Sequence, residues 1–138
     1  MPISADILLD TSAALALLHD THPAHESVLR ITHGLTRGLA GHALVESYSV
    51  LTRMPGQARV DRRQAYLMIQ RAFPASVTLP KDVALDAVAI FAEAGVAGGA
   101  VYDGLVGLAA KAAGITLLSC DRRAASTYAA LGVDVRLI

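Results

Sequence analysis

Short apolar runs along this chain alternate with longer stretches whose apolar residues recur every three or four positions, the pattern of strands interleaved with amphipathic helices. Ile3 to Leu9 reads as a first strand, and Thr11 or Ser12 caps a short apolar helix to about Leu18. After a loop over His19 to His22, Pro23 opens a second helix with Val28, Ile31 and Leu35 as its buried stripe, ending before Gly38. Leu39-Ala40 is a brief strand. His42 to about Arg53 follows as a helix with Leu44, Val45, Tyr48 and Leu51 on its apolar positions, stopped by Pro55-Gly56. Asp61, with Gln64 three residues on, resembles a capping box for a helix to Phe73, with Ala65, Met68, Ile69 and Ala72 inward and the arginines outward.

Val77 to Leu79 is a short strand, and Pro80-Lys81-Asp82 starts a helix that Gly95 closes in a left-handed conformation. Asp103 heads a nearly uncharged helix ending at Gly114. The run from Gly114 is a buried strand that leads to Asp121. A helix from about Arg123 to Leu131, a stop at Gly132 and a strand over Val133 to Ile138 complete the chain. Such alternation predicts an α/β fold with a mainly parallel sheet and helices on both faces. In such sheets ligands gather at the carboxyl ends of the strands, and Asp10 and Asp121 directly follow strands.

A length of 138 residues fits one domain, and 54% apolar content with few aromatics points to an interior of alanine, valine and leucine. Zero formal net charge gives no general sign of a polyanionic partner, but its distribution does. Arg53, Arg59, Arg62, Arg63 and Arg71 face a single acid, Asp61, in their stretch of chain. Cys120 is the one cysteine, which rules out an internal disulfide and fits a reducing compartment. Asp6 and Asp10 interrupt any N-terminal apolar core, so the chain reads as soluble and cytoplasmic, with no membrane segment.

Asp10, Glu46, Asp103 and Asp121 are the candidate chemistry. Each has an ordinary reading alone: a turn former or helix cap for the aspartates, a solvated helix position for Glu46. Brought together, two such charges ~5 Å apart at an effective dielectric of ~20 would repel by about 3 kcal/mol. Protons or a divalent cation must relieve that, and an all-oxygen site suits Mg²⁺ or Mn²⁺.

The ordered set Ile7-Leu8-Leu9-Asp10-Thr11-Ser12-Ala13, Glu46 within Ala43 to Pro55, Tyr102-Asp103-Gly104-Leu105-Val106-Gly107-Leu108-Ala109 and Leu117-Leu118-Ser119-Cys120-Asp121-Arg122 resembles the PIN-domain ribonucleases. It is most similar to the small VapC-type toxins of bacterial toxin–antitoxin modules. Ser119 stands where that family often has threonine, keeping the hydroxyl. The resemblance implies a PIN-like three-layer α/β/α sandwich, one domain over residues 1–138, and a metal-dependent endoribonuclease. Asp10 and Asp103 would be direct ligands of Mg²⁺ or Mn²⁺, and Glu46 and Asp121 would act through bound water or at a second metal. Thr11, Ser12 and Ser119 are candidates to support these acids, with helix capping and strand-end bonding as the alternative. The resemblance further implies an RNA substrate, a homodimer and a cognate VapB-type antitoxin.

Arg53, at the end of the Glu46 helix, and Arg122, beside Asp121, are candidate substrate contacts, against the alternative of a solvated basic face. His19, His22, His25, His33 and His42 lack the partners of a metal motif, and Cys120 lacks those of a nucleophile. A receiver or phosphotransferase domain also sets acids around Mg²⁺. A dehalogenase-like phosphatase would need an acid where Ser12 stands, and a receiver a lysine beyond Lys111. An inactive PIN-like binding module is opposed by the retained acids. Gly104 and Gly107, inside a helix, predict close packing against the sheet or a second subunit.

Overall fold

A computed structural model describes residues 3–138. The chain runs β1 (Ile7–Leu9), α1 (Thr11–Leu18), α2 (His25–Ile31), β2 (Arg37–Leu39), α3 (Ala43–Arg53), α4 (Arg62–Ala72), α5 (Lys81–Ala94), α6 (Ala100–Ala113), β3 (Leu117–Ser119), α7 (Ala125–Ala130) and β4 (Val135–Leu137), with a 3₁₀ turn at Gly56–Ala58. The four strands form one parallel sheet in the order β2-β1-β3-β4. Chain order therefore reverses beside β1: β2 lies on one side of it and β3 on the other. Such a reversal opens a crevice at the carboxyl ends of the central strands.

Burial explains the strand sequences. Ile7, Leu8, Leu9, Leu117 and Leu118 are buried on both faces, as a parallel sheet under two helical layers requires. In one helical group α1 packs on α2 and α3, and α3 on α4; in the other α6 packs on α5 and α7. Together with the sheet these groups make the α/β/α layering, around a continuous core that includes Leu8, Leu39, Leu51, Phe91, Leu118 and Tyr128.

Several boundaries differ from the sequence reading. The first strand begins at Ile7 rather than Ile3, because Asp6 bonds Thr36 through both its amide and its carboxylate at the edge of the ladder. The second helix stops at Ile31, short of Leu35. The Thr32 hydroxyl donates to the Val28 carbonyl at 2.8 Å, and Gly34 turns the chain at φ +74°. The strand after it takes in Arg37 and Gly38 and ends at Leu39. Val77 makes a single parallel bridge to Ala40 instead of a strand, since Pro80 already begins the next helix. In α3 the buried row is Ala43, Ser47 and Leu51, four residues apart, and Val45 points outward.

The glycines of α6 face their own chain. A Cβ at Gly104 would lie 2.6 Å from the Phe91 ring of α5, and one at Gly107 would lie 3.0 Å from both Tyr128 and Val133. Their partners are therefore the flanking helix α5, and α7 with the turn that follows it, not the sheet and not a second subunit. Among the described residues no helix is long and apolar enough to cross a membrane.

Candidate active site

Asp10 sits where β1 gives way to α1, at the carboxyl edge of the sheet. Its extended backbone makes it the cap of α1, and Oδ1 accepts from the Ala13 amide at 3.0 Å. The Ser12 hydroxyl donates to the same oxygen at 2.6 Å, and Ser12 Oγ accepts from the Cys120 amide at 2.9 Å. Ser12 thus ties the end of β1 to the end of β3. On that neighbouring strand end, Ser119 Oγ accepts from the Asp121 amide at 3.1 Å, which holds the turn carrying the second aspartate.

Asp103 occupies the first turn of α6, but Gly99 is the cap residue, so Asp103 does not begin the helix as the sequence suggested. Glu46 lies in the first turn of α3, with Oε2 3.5 Å from His42 Nε2. These two helix starts and the two strand ends meet around one cavity of about 210 Å³, lined by all four acids together with Thr11, Ser12, Leu15, Val50 and Val106.

The electrostatics record the convergence. The Asp103 carboxyl is pushed up to about 6, first by burial and then by the negative charges of Asp121, Asp10 and Glu46, with Arg123 opposing. Among the described residues, no lysine or arginine lines the cavity. Thr11 Oγ1 is buried there without a hydrogen-bond partner. Four hard oxygen donors beside an unpaired hydroxyl fit a hydrated hard cation, which keeps several of its waters and leaves protein groups to bond them. Among the described residues, no three His, Cys, Asp or Glu side chains are grouped tightly enough to hold a metal ion directly. The acids repel one another across the cavity, and drawing them inward requires positive charge between them.

Tyr128 is the residue that sequence reasoning missed. Its hydroxyl donates to Asp10 Oδ2 at 2.8 Å from a ring that is 0% exposed, and Asp10 itself is only 4% exposed. Burial, then the charge of Asp10 and the bond to it, raise the phenol pKa, so the proton stays on tyrosine and the bond is donated to the aspartate. With Ser12 and Ala13 on Oδ1, both oxygens of Asp10 are held. Local spacing could not reveal a contact spanning 118 positions. The available signal was a single large polar-tipped aromatic in an alanine-rich helix, which needs a partner for its hydroxyl when buried.

The other predicted residues divide. Arg53 is exposed at the end of α3, 3.2 Å from Ser49 Oγ, and lines a neighbouring cavity rather than the acid one. Arg122 is exposed and lines neither cavity, whereas Arg123 approaches Asp121 Oδ1 at 3.8 Å and caps it with its amide at 2.9 Å. Burial, then the Asp10 charge, pushes the Cys120 thiol up to about 11, so it is not a thiolate nucleophile. The histidines form no metal cluster among the described residues.

A doubly flanked parallel sheet with carboxylates at its central strand ends is an α/β scaffold that hosts many chemistries, and the comparisons narrow it. Residues 7–130 match the PIN domain, and the chain belongs to the PIN-domain family. Within it, the kinship is with the VapC ribonucleases. It is 42% identical over 137 residues to Ribonuclease VapC40 of Mycobacterium tuberculosis, spanning 94% of this chain and 96% of that protein. It is 39% identical over 129 residues to Ribonuclease VapC27 of the same species, spanning 94% of each. Among solved structures, FitAcB from Neisseria gonorrhoeae superimposes with a TM-score of 0.71 over 94% of this chain and 95% of that one, at 20% identity.

Proposed function

We propose that this chain is a metal-dependent endoribonuclease and the toxin of a VapBC-type module, hydrolysing RNA phosphodiester bonds at the four-carboxylate cavity. The observation that carries the reading is the meeting of Asp10, Glu46, Asp103 and Asp121 around one cavity with no cationic side chain among the described residues of its wall. A bare acid cavity would repel a phosphodiester, so the substrate can enter only with its charge offset. Mg²⁺ or Mn²⁺, when bound, supplies that offset, activates water for in-line attack and stabilises the leaving oxygen.

The chain's own residues have separate tasks. Asp10, fixed at both oxygens, and Asp103, at the start of α6, are the proposed direct ligands. Glu46 and Asp121 face them and hold water by hydrogen bonds. Ser12 and Ser119 keep the two strand ends in register, and the Thr11 hydroxyl is left for a solvent ligand. The kinship also supports a small VapB-type antitoxin that covers the acids. Leu85 and Val88, exposed on α5, supply apolar surface for a second copy in a homodimer.

Incubation of the purified chain with RNA and Mn²⁺ or Mg²⁺ tests the reading. Cleavage is expected with either metal, none in EDTA, and a loss of at least 100-fold in Asp10→Asn and in Asp103→Asn, on the scale that single catalytic-group deletions reach. Undiminished cleavage by both folded variants refutes it. Co-purification with the product of a neighbouring gene, and sedimentation of the chain alone, test the antitoxin and the dimer.

A further inference from the structure

A second cavity, of about 400 Å³, shares Glu46 with the acid cavity and is otherwise lined by His42, Val45, Ser49, Arg53 and Tyr102. The catalytic reading uses none of these. Tyr102 is 53% exposed and Val45 63%, beside a site that needs no apolar surface for its chemistry. The Tyr102 ring is nonetheless held: the His42 ring stacks against it at 5.3 Å and 30° between planes, and His42 is itself paired with Glu46. Two helices thus brace an exposed aromatic surface at the rim of the acid cavity.

From this juxtaposition we propose that the second cavity is a nucleobase subsite, in which one unpaired base of a single-stranded RNA stacks on Tyr102 while Arg53 meets a phosphate of the same strand. The inference rests on the ribonuclease reading and names how its substrate is gripped. Tyr102 lines the second cavity and Asp103 the first, with Glu46 bordering both, so a base on the ring leaves its backbone beside the acid cavity. Arg53 lies on the same wall of α3 as Ser49, which orients its guanidinium at 3.2 Å, and its planar fork suits a phosphate. A ring, an aliphatic edge and a guanidinium are what a splayed nucleotide requires, and a paired base in a duplex offers no face to them. Because every base has a π-face, the subsite selects for an unpaired nucleotide more than for its identity.

The test uses the full chain with Asp10→Asn to prevent cleavage, and a labelled mixed-sequence single-stranded RNA 12-mer as probe, read by anisotropy. Added Tyr102→Ala should weaken binding about 5- to 150-fold, the range of one lost base–aromatic stack, and Tyr102→Phe should stay within about twofold. In the cleaving chain, Tyr102→Ala should raise KM with little change in kcat, the signature of lost uniform binding. A duplex of the same sequence should bind without regard to Tyr102. Unchanged binding by Tyr102→Ala, an equal loss in Tyr102→Phe, or a change of sedimentation marking this face as a contact between copies would each overturn the subsite. These results leave the ribonuclease reading standing, which fails instead if Asp10→Asn and Asp103→Asn both cleave.

Discussion

Asp103 carries the strain of the acid cavity in its own protonation. Its carboxyl is raised from 3.8 to about 6 in the folded chain, by burial first and by Asp121, Asp10 and Glu46 after it. A raised carboxyl pKa means that the folded state binds the proton more tightly than the unfolded state. The group therefore destabilises the metal-free fold above pH 6, and this penalty fades as pH falls toward 4. Asp103→Asn in EDTA should melt a few degrees above the unmodified chain at pH 7.5, with the gap closing by about pH 4 in a thermal scan. A gap that persists at pH 4 would show that the asparagine acts by packing rather than by charge. At this scale the sequence was legible where one side chain announces itself. Asp10 and Asp121 were readable as strand-end acids, and Ser12 and Ser119 as hydroxyls beside them. Tyr128 was not, because a bond from α7 to Asp10 follows from packing and leaves no local trace.

Among the elements, α6 explains most about how the site is held. A glycine inside a helix costs roughly 1 kcal/mol relative to alanine, so Gly104 and Gly107 need a compensating contact. They have two: the Phe91 ring against the first and Tyr128 with Val133 against the second. Gly107 thereby sets how closely α7 approaches α6, and the approach of α7 sets the reach of the Tyr128 hydroxyl to Asp10. Gly107→Leu is expected to lose about 1–3 kcal/mol in urea unfolding, the usual range for overpacking. It should also reduce cleavage under conditions where the variant remains folded, with sedimentation unchanged because the glycine faces its own chain. Stability equal to the unmodified chain would remove the packing argument. Helix existence was readable from apolar periodicity and from Gly95 and Gly114, which close α5 and α6 with φ of +76° and +69°. Boundaries were less so. The arrest of α2 depends on the Thr32 hydroxyl, and the outward turn of Val45 on a buried row that starts one residue into the predicted helix.

Over the whole molecule, the four acids come from the junction of β1 with α1, from α3, from α6 and from the turn after β3, and the reversal of strand order beside β1 brings the two strand ends together. A cation bound only by the folded chain should stabilise the entire fold by mass action, about 2.7 kcal/mol at 100 times its dissociation constant. Millimolar Mn²⁺ should therefore raise the melting temperature at pH 7.5, and the rise should shrink in Asp10→Asn and again below pH 6, where Asp103 takes up a proton. No rise at neutral pH would count against a formed metal site. The α/β class and the parallel sheet followed from the alternation of elements, but the two helical groups and the cavity between strand ends are products of topology. The tie between Tyr128 and Asp10 also bears on when the site comes into being. A nascent chain that has not yet extended through β3 has Asp10 but lacks Asp121, and until α7 is made it also lacks the donor on Oδ2. The four-acid cavity is therefore complete only after the last quarter of the chain has been made and folded against β1.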